Sequence, residues 1–316
     1  MRASQPLRYT VFRPVCTILV LAALAACTAI DYNLPPVASE TDGLRQSGRF
    51  VWHDLISDDP AGSEAFYGTL FGWEFRSLNL PGAGYWIISL DGEPIAGMVN
   101  QADIPAKTDI SQWISVLSVT DPTATAAQVR GAGGRILREP VSLGDRGTIA
   151  VFADAQGALF AGLRTAEGDP PESEKLPREG AFLWHELWTS DAAAGAIFYA
   201  RLGGLSVDTV EGQNADGDVI PFAILRDGPR VRAGVRPSPT ADMPALWMPY
   251  LRVTDRARLD AILAAVPELA GQVLVPATVR PAGGFVAVIA DPSGAPVALQ
   301  TWGDEQHLNE DTQHVD

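Results

Sequence analysis

Cysteine is almost absent from this chain: Cys16 and Cys27 are the only two in 316 residues. Both precede residue 28. The remainder therefore has no thiol for a disulfide or a nucleophile, and its stability has to come from packing. Histidine is nearly as scarce, and His53 and His185 are the only two within the patterned part of the sequence. Positive charge is also short, with 23 Lys and Arg against 38 Asp and Glu for a net charge of −15. Setting aside residues 1–26, which hold three arginines and no acid, leaves 20 against 38, or −18. A chain this acidic lacks the basic clusters that hold nucleic acid or anionic lipid, so no nucleic-acid partner is expected. Two other chemistries lack their signatures. Gly131-Ala132-Gly133-Gly134 follows a helical pattern, where it reads as a helix stop, not a phosphate cradle, and no G-x-S-x-G elbow presents a serine.

What is present begins with Arg2, Arg8 and Arg13, followed by an apolar run from Val15 to Ala26. The run is too short to span a bilayer and has the layout of a secretory signal. It ends Leu24-Ala25-Ala26-Cys27, which resembles the bacterial lipobox, where cleavage precedes the cysteine and acylation follows. The resemblance implies a signal peptide over 1–26, a lipid anchor on Cys27 as the membrane partner, and a place in the cell envelope. Thr28 after the cysteine points to the periplasmic face of the outer membrane. More than one acyl chain makes such attachment stable, at about 0.8 kcal/mol per buried methylene.

The body of the chain says one thing twice. Phe50-Val51-Trp52-His53-Asp54-Leu55 and Phe66-Tyr67 return 132 residues on as Phe182-Leu183-Trp184-His185-Glu186-Leu187 and Phe198-Tyr199. Trp113 to Asp121 returns as Trp247 to Asp255, and Val151-Phe152-Ala153-Asp154 with Gly157 as Val288-Ile289-Ala290-Asp291 with Gly294, at offsets of 134 and 137. A period this long, present twice, means duplicated domains and not a solenoid. Pro35-Pro36 and Asp169-Pro170-Pro171 mark breaks. The sequence thus divides into an anchored flexible tether over 27–48, a domain over 49–166, a linker over 167–180, a domain over 181–303 and a disordered polar tail over 304–316.

Within the first domain Phe50–Ile56 reads as a strand, Asp59-Pro60 opens a helix that closes near Gly72, and strands follow over 73–78, 84–90 and 94–100. The pattern then restarts, with a strand over 112–119, a helix over 122–131 and strands over 134–138, 148–153 and 159–164. This is βαβββ twice per domain and four times in the chain.

In Trp52-His53-Asp54-Leu55, Leu70-Phe71-Gly72-Trp73 and the turns Asp154-Ala155-Gln156-Gly157 and Asp291-Pro292-Ser293-Gly294, the chain resembles the vicinal oxygen chelate superfamily of glyoxalases, bleomycin resistance proteins and extradiol dioxygenases. The resemblance covers 49–166 and 181–303. It implies an α+β fold of two tandem domains, each of paired βαβββ modules forming a cup-shaped mixed sheet with flanking helices, and a small-molecule ligand inside a cup. Metalloenzymes of that superfamily hold a divalent ion on the first strand of each module and on a last-strand Glu. The matching positions here are Trp52, Ile114 and Ala161 in one domain and Trp184, Met248 and Ala298 in the other. None of these can ligate a hard or borderline cation, so no cofactor is expected, with a divalent metal left open around His53 and His185 as weak candidates.

Strand alternation places Asp54 on the face of Trp52 and Glu186 on that of Trp184, and turns His53 and His185 the other way. The expected ligand-binding residues are Trp52, Asp54, Ile114, Trp184, Glu186, Met248 and Tyr250. Asp54 and Glu186 are the candidate acid–base residues if the protein is an enzyme. Two functions remain open: a metal-free binder of a small apolar or aromatic molecule, and a lyase, isomerase or dioxygenase of the same superfamily with a non-standard site. How the four modules pair, and the oligomeric state, are not legible.

Overall fold

The computed structural model describes residues 32–302 apart from 81, 106–108, 214–218, 241–242 and 281–282. The described residues form one compact unit, built on two eight-stranded mixed sheets. Cys27, the apolar run before it and the polar tail lie outside the described residues. Among the described residues no helix is long and apolar enough to cross a membrane.

The first sheet begins with β1 (Phe50–Ser57), α1 (Pro60–Phe71), β2 (Glu74–Leu80), β3 (Ala83–Leu90) and β4 (Glu93–Asn100). Its second module is β5 (Gln112–Ser118), α2 (Pro122–Gly131), β6 (Arg135–Ser142), β7 (Gly147–Ala153) and β8 (Leu159–Thr165). The order is β2-β3-β4-β1-β5-β8-β7-β6, with β1 antiparallel to β5 and parallel to β4. The second sheet repeats this with β9 (Phe182–Thr189), α3 (Ala192–Gly203), β10 (Ser206–Gln213), β11 (Val219–Asp227), β12 (Arg230–Pro237), β13 (Leu246–Val253), α4 (Arg256–Ala265), β14 (Gln272–Val279), β15 (Phe285–Ala290) and β16 (Pro296–Thr301). Its order is β10-β11-β12-β9-β13-β16-β15-β14. Modules therefore pair within a half, so each cup draws on one copy of the repeat.

The four described α-helices start the same way. Asp59, Asp121, Asp191 and Asp255 are N-caps whose carboxylates accept backbone N–H groups of the first turn at 2.8–3.0 Å, each such cap being worth about 1 kcal/mol. α1 and α3 end on Gly72 and Gly204 in the left-handed conformation, at φ 71° and 68°.

The helices tie the halves together. One core joins Leu55, Phe66, Tyr67 and Leu70 to Leu251, Val253, Leu259 and Ile262, and a second joins Leu117, Val129 and Phe152 to Leu187, Ala196 and Tyr199. Each draws on the first module of one half and the second module of the other. The Asp-x-x-Gly turns lie at these junctions. Asp291 accepts from Ser63 of α1 at 2.6 Å, Asp154 accepts from Tyr199 of α3 at 3.2 Å, and Gln156 hydrogen-bonds Ser190 and both backbone groups of Asp191.

Two segments expected to be loose are packed. From residue 32 the tether lies along the first sheet: Leu34 and Val37 are buried, and the Leu34 amide donates to the Leu143 carbonyl at 2.9 Å. The linker over 167–180 is fixed by Asp169, which is buried and accepts from the Gln46 amide at 2.8 Å, and by Glu172, which pairs with Arg230 and Arg232. Proline marked the absence of helix and strand correctly, but irregular backbone with buried anchors is not flexible backbone.

Candidate functional site

In the first cup, β1 turns Trp52, Asp54 and Ile56 inward and His53 and Leu55 to the back. Asp54 stands opposite Ile114 in the ladder, Trp52 opposite Val116, and Val116 opposite Ala161. Trp52, Ile114 and Ala161 thus share one apolar cluster with Leu34, Val37 and Leu163. Their side chains carry no lone pair suited to a divalent cation, so this wall does not fit the superfamily's metal.

A small polar network is set into that wall. Asp54 accepts from Trp52 Nε1 at 3.0 Å and from the Tyr85 hydroxyl at 2.8 Å. Arg146 is buried, stacks its guanidinium 4.4 Å from the Trp52 ring, donates to the Tyr85 hydroxyl at 2.5 Å and reaches the Pro35 carbonyl at 2.9 Å. Burial raises the carboxyl pKa of Asp54, against the opposing pull of Arg146 and the two hydrogen bonds. Burial also pushes the Tyr85 hydroxyl up, and the Asp54 charge adds to the rise. Gly97 lies beside Asp54 on β4, and a Cβ there would overlap both the Tyr85 hydroxyl and the Asp54 carboxylate.

The second cup repeats the design with different residues. Glu186 stands opposite Met248, and Tyr250 opposite Trp184 and next to Ala298. Both carboxylate oxygens of Glu186 are engaged. One accepts from Trp184 Nε1 at 3.2 Å and from Arg280 at 3.4 Å; the other accepts from Trp188 Nε1 at 3.2 Å and from the Tyr250 hydroxyl at 2.5 Å. Gln300 accepts from Arg280 beside them. The cups differ in cover. Trp52 is 2 % exposed under the N-terminal segment, whereas Trp184 is only part-buried.

The structure therefore brings Trp52, Asp54 and Ile114 into one cup and Trp184, Glu186, Met248 and Tyr250 into the other. Sequence reasoning missed Tyr85, Arg146, Trp188 and Arg280. Trp188 was within reach, two residues beyond Glu186 on the same strand face. The arginines lie near the ends of irregular turns, where no periodicity reports direction.

His53 and His185 line neither cup. They meet between the two sheets with Nε2 atoms 2.6 Å apart and rings 3° from parallel. Phe182 stacks on His53 and Phe50 on His185. An ion bound by both nitrogens at about 2.0–2.1 Å in tetrahedral geometry would hold them roughly 3.3 Å apart, so the pair as it stands has no room for one. Among the described residues no three His, Cys, Asp or Glu side chains converge as a metal site. Burial lowers both histidine pKa values, that of His185 to about 3. A surface crevice of about 250 Å³ between α2 and α3, lined by Gln128, Phe198 and Arg201, carries none of this chemistry.

The fold and cups define a class, and comparison with known proteins agrees. The description "Glyoxalase/Bleomycin resistance protein/Dioxygenase superfamily" matches residues 49–161. The chain is 32 % identical over 262 residues to the anthracycline biosynthesis protein DauV of Streptomyces sp. (strain C5), covering 78 % of this chain and 91 % of that protein. It is 34 % identical over 175 residues to the anthracycline biosynthesis protein DnrV of Streptomyces peucetius, covering 51 % and 63 %. The chain belongs to the glyoxalase/bleomycin resistance protein/dioxygenase superfamily. Among solved structures it shares its fold with the Mn(II)-bound glyoxalase from Novosphingobium aromaticivorans, at TM-score 0.55, 13 % identity and 82 % and 83 % coverage of the two chains. It shares it also with a catechol 2,3-dioxygenase, at TM-score 0.54, 14 % identity and 82 % and 94 % coverage.

Proposed function

We propose that this protein is an envelope lipoprotein, anchored through Cys27, that binds a small apolar or aromatic molecule in its second cup without a metal. The observation that carries the reading is the wall of that cup. Trp184, Met248 and Ala298 stand where the family resemblance would put metal ligands, and Trp184 is part-buried beside Glu186. An apolar, aromatic surface with a few fixed polar groups is the usual make-up of a ligand pocket. Binding is favoured over acid–base catalysis because both oxygens of Glu186 already accept hydrogen bonds from fixed donors. The two relatives named for anthracycline biosynthesis make a polycyclic aromatic compound a sensible first probe.

A single preparation of the chain, purified without chelator, tests the reading. Metal analysis should find well under one equivalent of zinc, iron or manganese, and 1,8-dihydroxyanthraquinone should raise the melting temperature of the native chain but not of Trp184→Ala. A stoichiometric metal, or equal stabilisation of both folded proteins, would refute it. In a host that acylates lipoproteins, labelled palmitate should enter the native chain and not Cys27→Ser; an unlabelled native chain would remove the anchor from the proposal.

A further inference from the structure

The first cup is filled by the chain's own residues, and the way it is filled describes what else it can hold. The segment from Asn33 to Val37 belongs to no helix or strand. Two apolar side chains, Leu34 and Val37, enter the cluster around Trp52, and one backbone bond ties Leu34 to Leu143. Its outer edge is held by exposed polar contacts, in which Asn33 accepts from the Asp145 amide at 2.8 Å and donates to the Asp145 carboxylate at 3.3 Å. Such contacts exchange readily with water. The only polar group that the segment offers to the buried network is the Pro35 carbonyl, taken by Arg146 Nε.

Arg146 is 2 % exposed, yet its Nη2 has no hydrogen-bond partner among the described residues. A buried guanidinium nitrogen without an acceptor is an unmet demand in the wall of the cup. The charge of Arg146 is already opposed by Asp54 across the same network, so the demand is for a neutral acceptor and not for a second anion. Apolar bulk against Trp52 and a carbonyl oxygen on Arg146 is what residues 34–37 supply, one acceptor short.

We infer that Asn33–Val37 is a displaceable stand-in in the first cup, and that the ligand which replaces it is a neutral, apolar, carbonyl-bearing molecule whose oxygen takes both the Nε and Nη2 donors of Arg146. This rests on reading the cups as small-molecule sites, but on a different cup from the one proposed above. The site is closed in the absence of such a ligand, and occupancy releases the segment that leads to Cys27.

The test uses the full chain in a Trp184→Ala background, so that binding in the second cup does not contribute and the two proposals fail separately. The probes are 1-indanone, indane and indane-1-carboxylate, followed by calorimetry. Leu34→Ser/Val37→Ser should bind 1-indanone at least tenfold more tightly than its parent, and indane at least tenfold more weakly than 1-indanone, because a site built to hydrogen-bond rejects the analogue that lacks the acceptor. Equal affinity of parent and variant, equal binding of indane, or tighter binding of the carboxylate would each overturn the inference. Should the double variant fail to fold, hydrogen exchange on the parent decides: the Leu34 amide should lose protection at saturating 1-indanone, and unchanged protection at saturation refutes displacement.

Discussion

At the scale of single residues, His53 and His185 have the sharpest consequence. Each is held neutral by burial, below its ordinary value near 6.5. As pH falls, the unfolded chain binds protons on these residues first, so folding is fully favoured above 6.5 and loses ground below it. Each histidine should cost on the order of 1 kcal/mol at pH 5.5 relative to high pH. Asp54, Asp154 and Asp291 have raised values and push the other way as pH falls through them, so the histidine contribution is read against a variant that lacks the pair. Urea unfolding at pH 7.5 and 5.5 should therefore show a clear fall for the native chain and a flatter response for His53→Phe/His185→Phe; identical responses would mean that the pair is hydrated. Alternation along β1 and β9 was enough to turn both histidines away from the cups. Their meeting was not legible, because a strand pattern reports a face and not what packs against it.

At the scale of elements, the repeated Asp-x-x-Gly turn has a role that spacing alone did not reveal. It reads as a turn that closes a sheet, yet Asp154 and Asp291 each also anchor a helix of the opposite half. Tyr199→Phe and Ser63→Ala should each destabilise the protein by about 1 kcal/mol, as deletion of one buried hydrogen-bond partner does. Asp191→Ala should cost a similar amount for the lost cap. Chemical denaturation measures all three, and changes within 0.3 kcal/mol of zero would remove the turns from the interface. The βαβββ order and the helix opened by Asp59 were readable from local chemistry. The strap over the first cup was not, since Leu34 and Val37 are two apolar residues in a proline-rich stretch with no period to betray a partner.

At the scale of the whole molecule, two domains by sequence are not two folding units. Both cores that surround the helices take residues from both halves, so neither half retains a complete core if the other unfolds. Scanning calorimetry should give one transition with equal calorimetric and van't Hoff enthalpies. Two resolved transitions would mean that each half is self-sufficient. The duplication itself was plain in the sequence, whereas the pairing of modules within each half emerged only from the sheet order. What joins the halves was hidden, because residues such as Tyr67 and Tyr199 look like ordinary amphipathic-helix positions until the opposite sheet is in place.

The histidine pair also says something about symmetry. Phe50 stacks on His185 as Phe182 stacks on His53, and the two imidazoles face one another. Contacts that are reciprocal in this way are those of an isologous interface, in which one surface meets a copy of itself across a two-fold axis. Here the two copies are covalently joined, and the axis passes between the Nε2 atoms. A hydrogen bond between two neutral rings needs a proton on one nitrogen and a lone pair on the other, so the twofold cannot be perfect at its own centre. Identical protomers would have to share or exchange that proton. A tandem chain is free to assign it, and the unequal cups on either side carry the same broken symmetry out to the surface of the molecule.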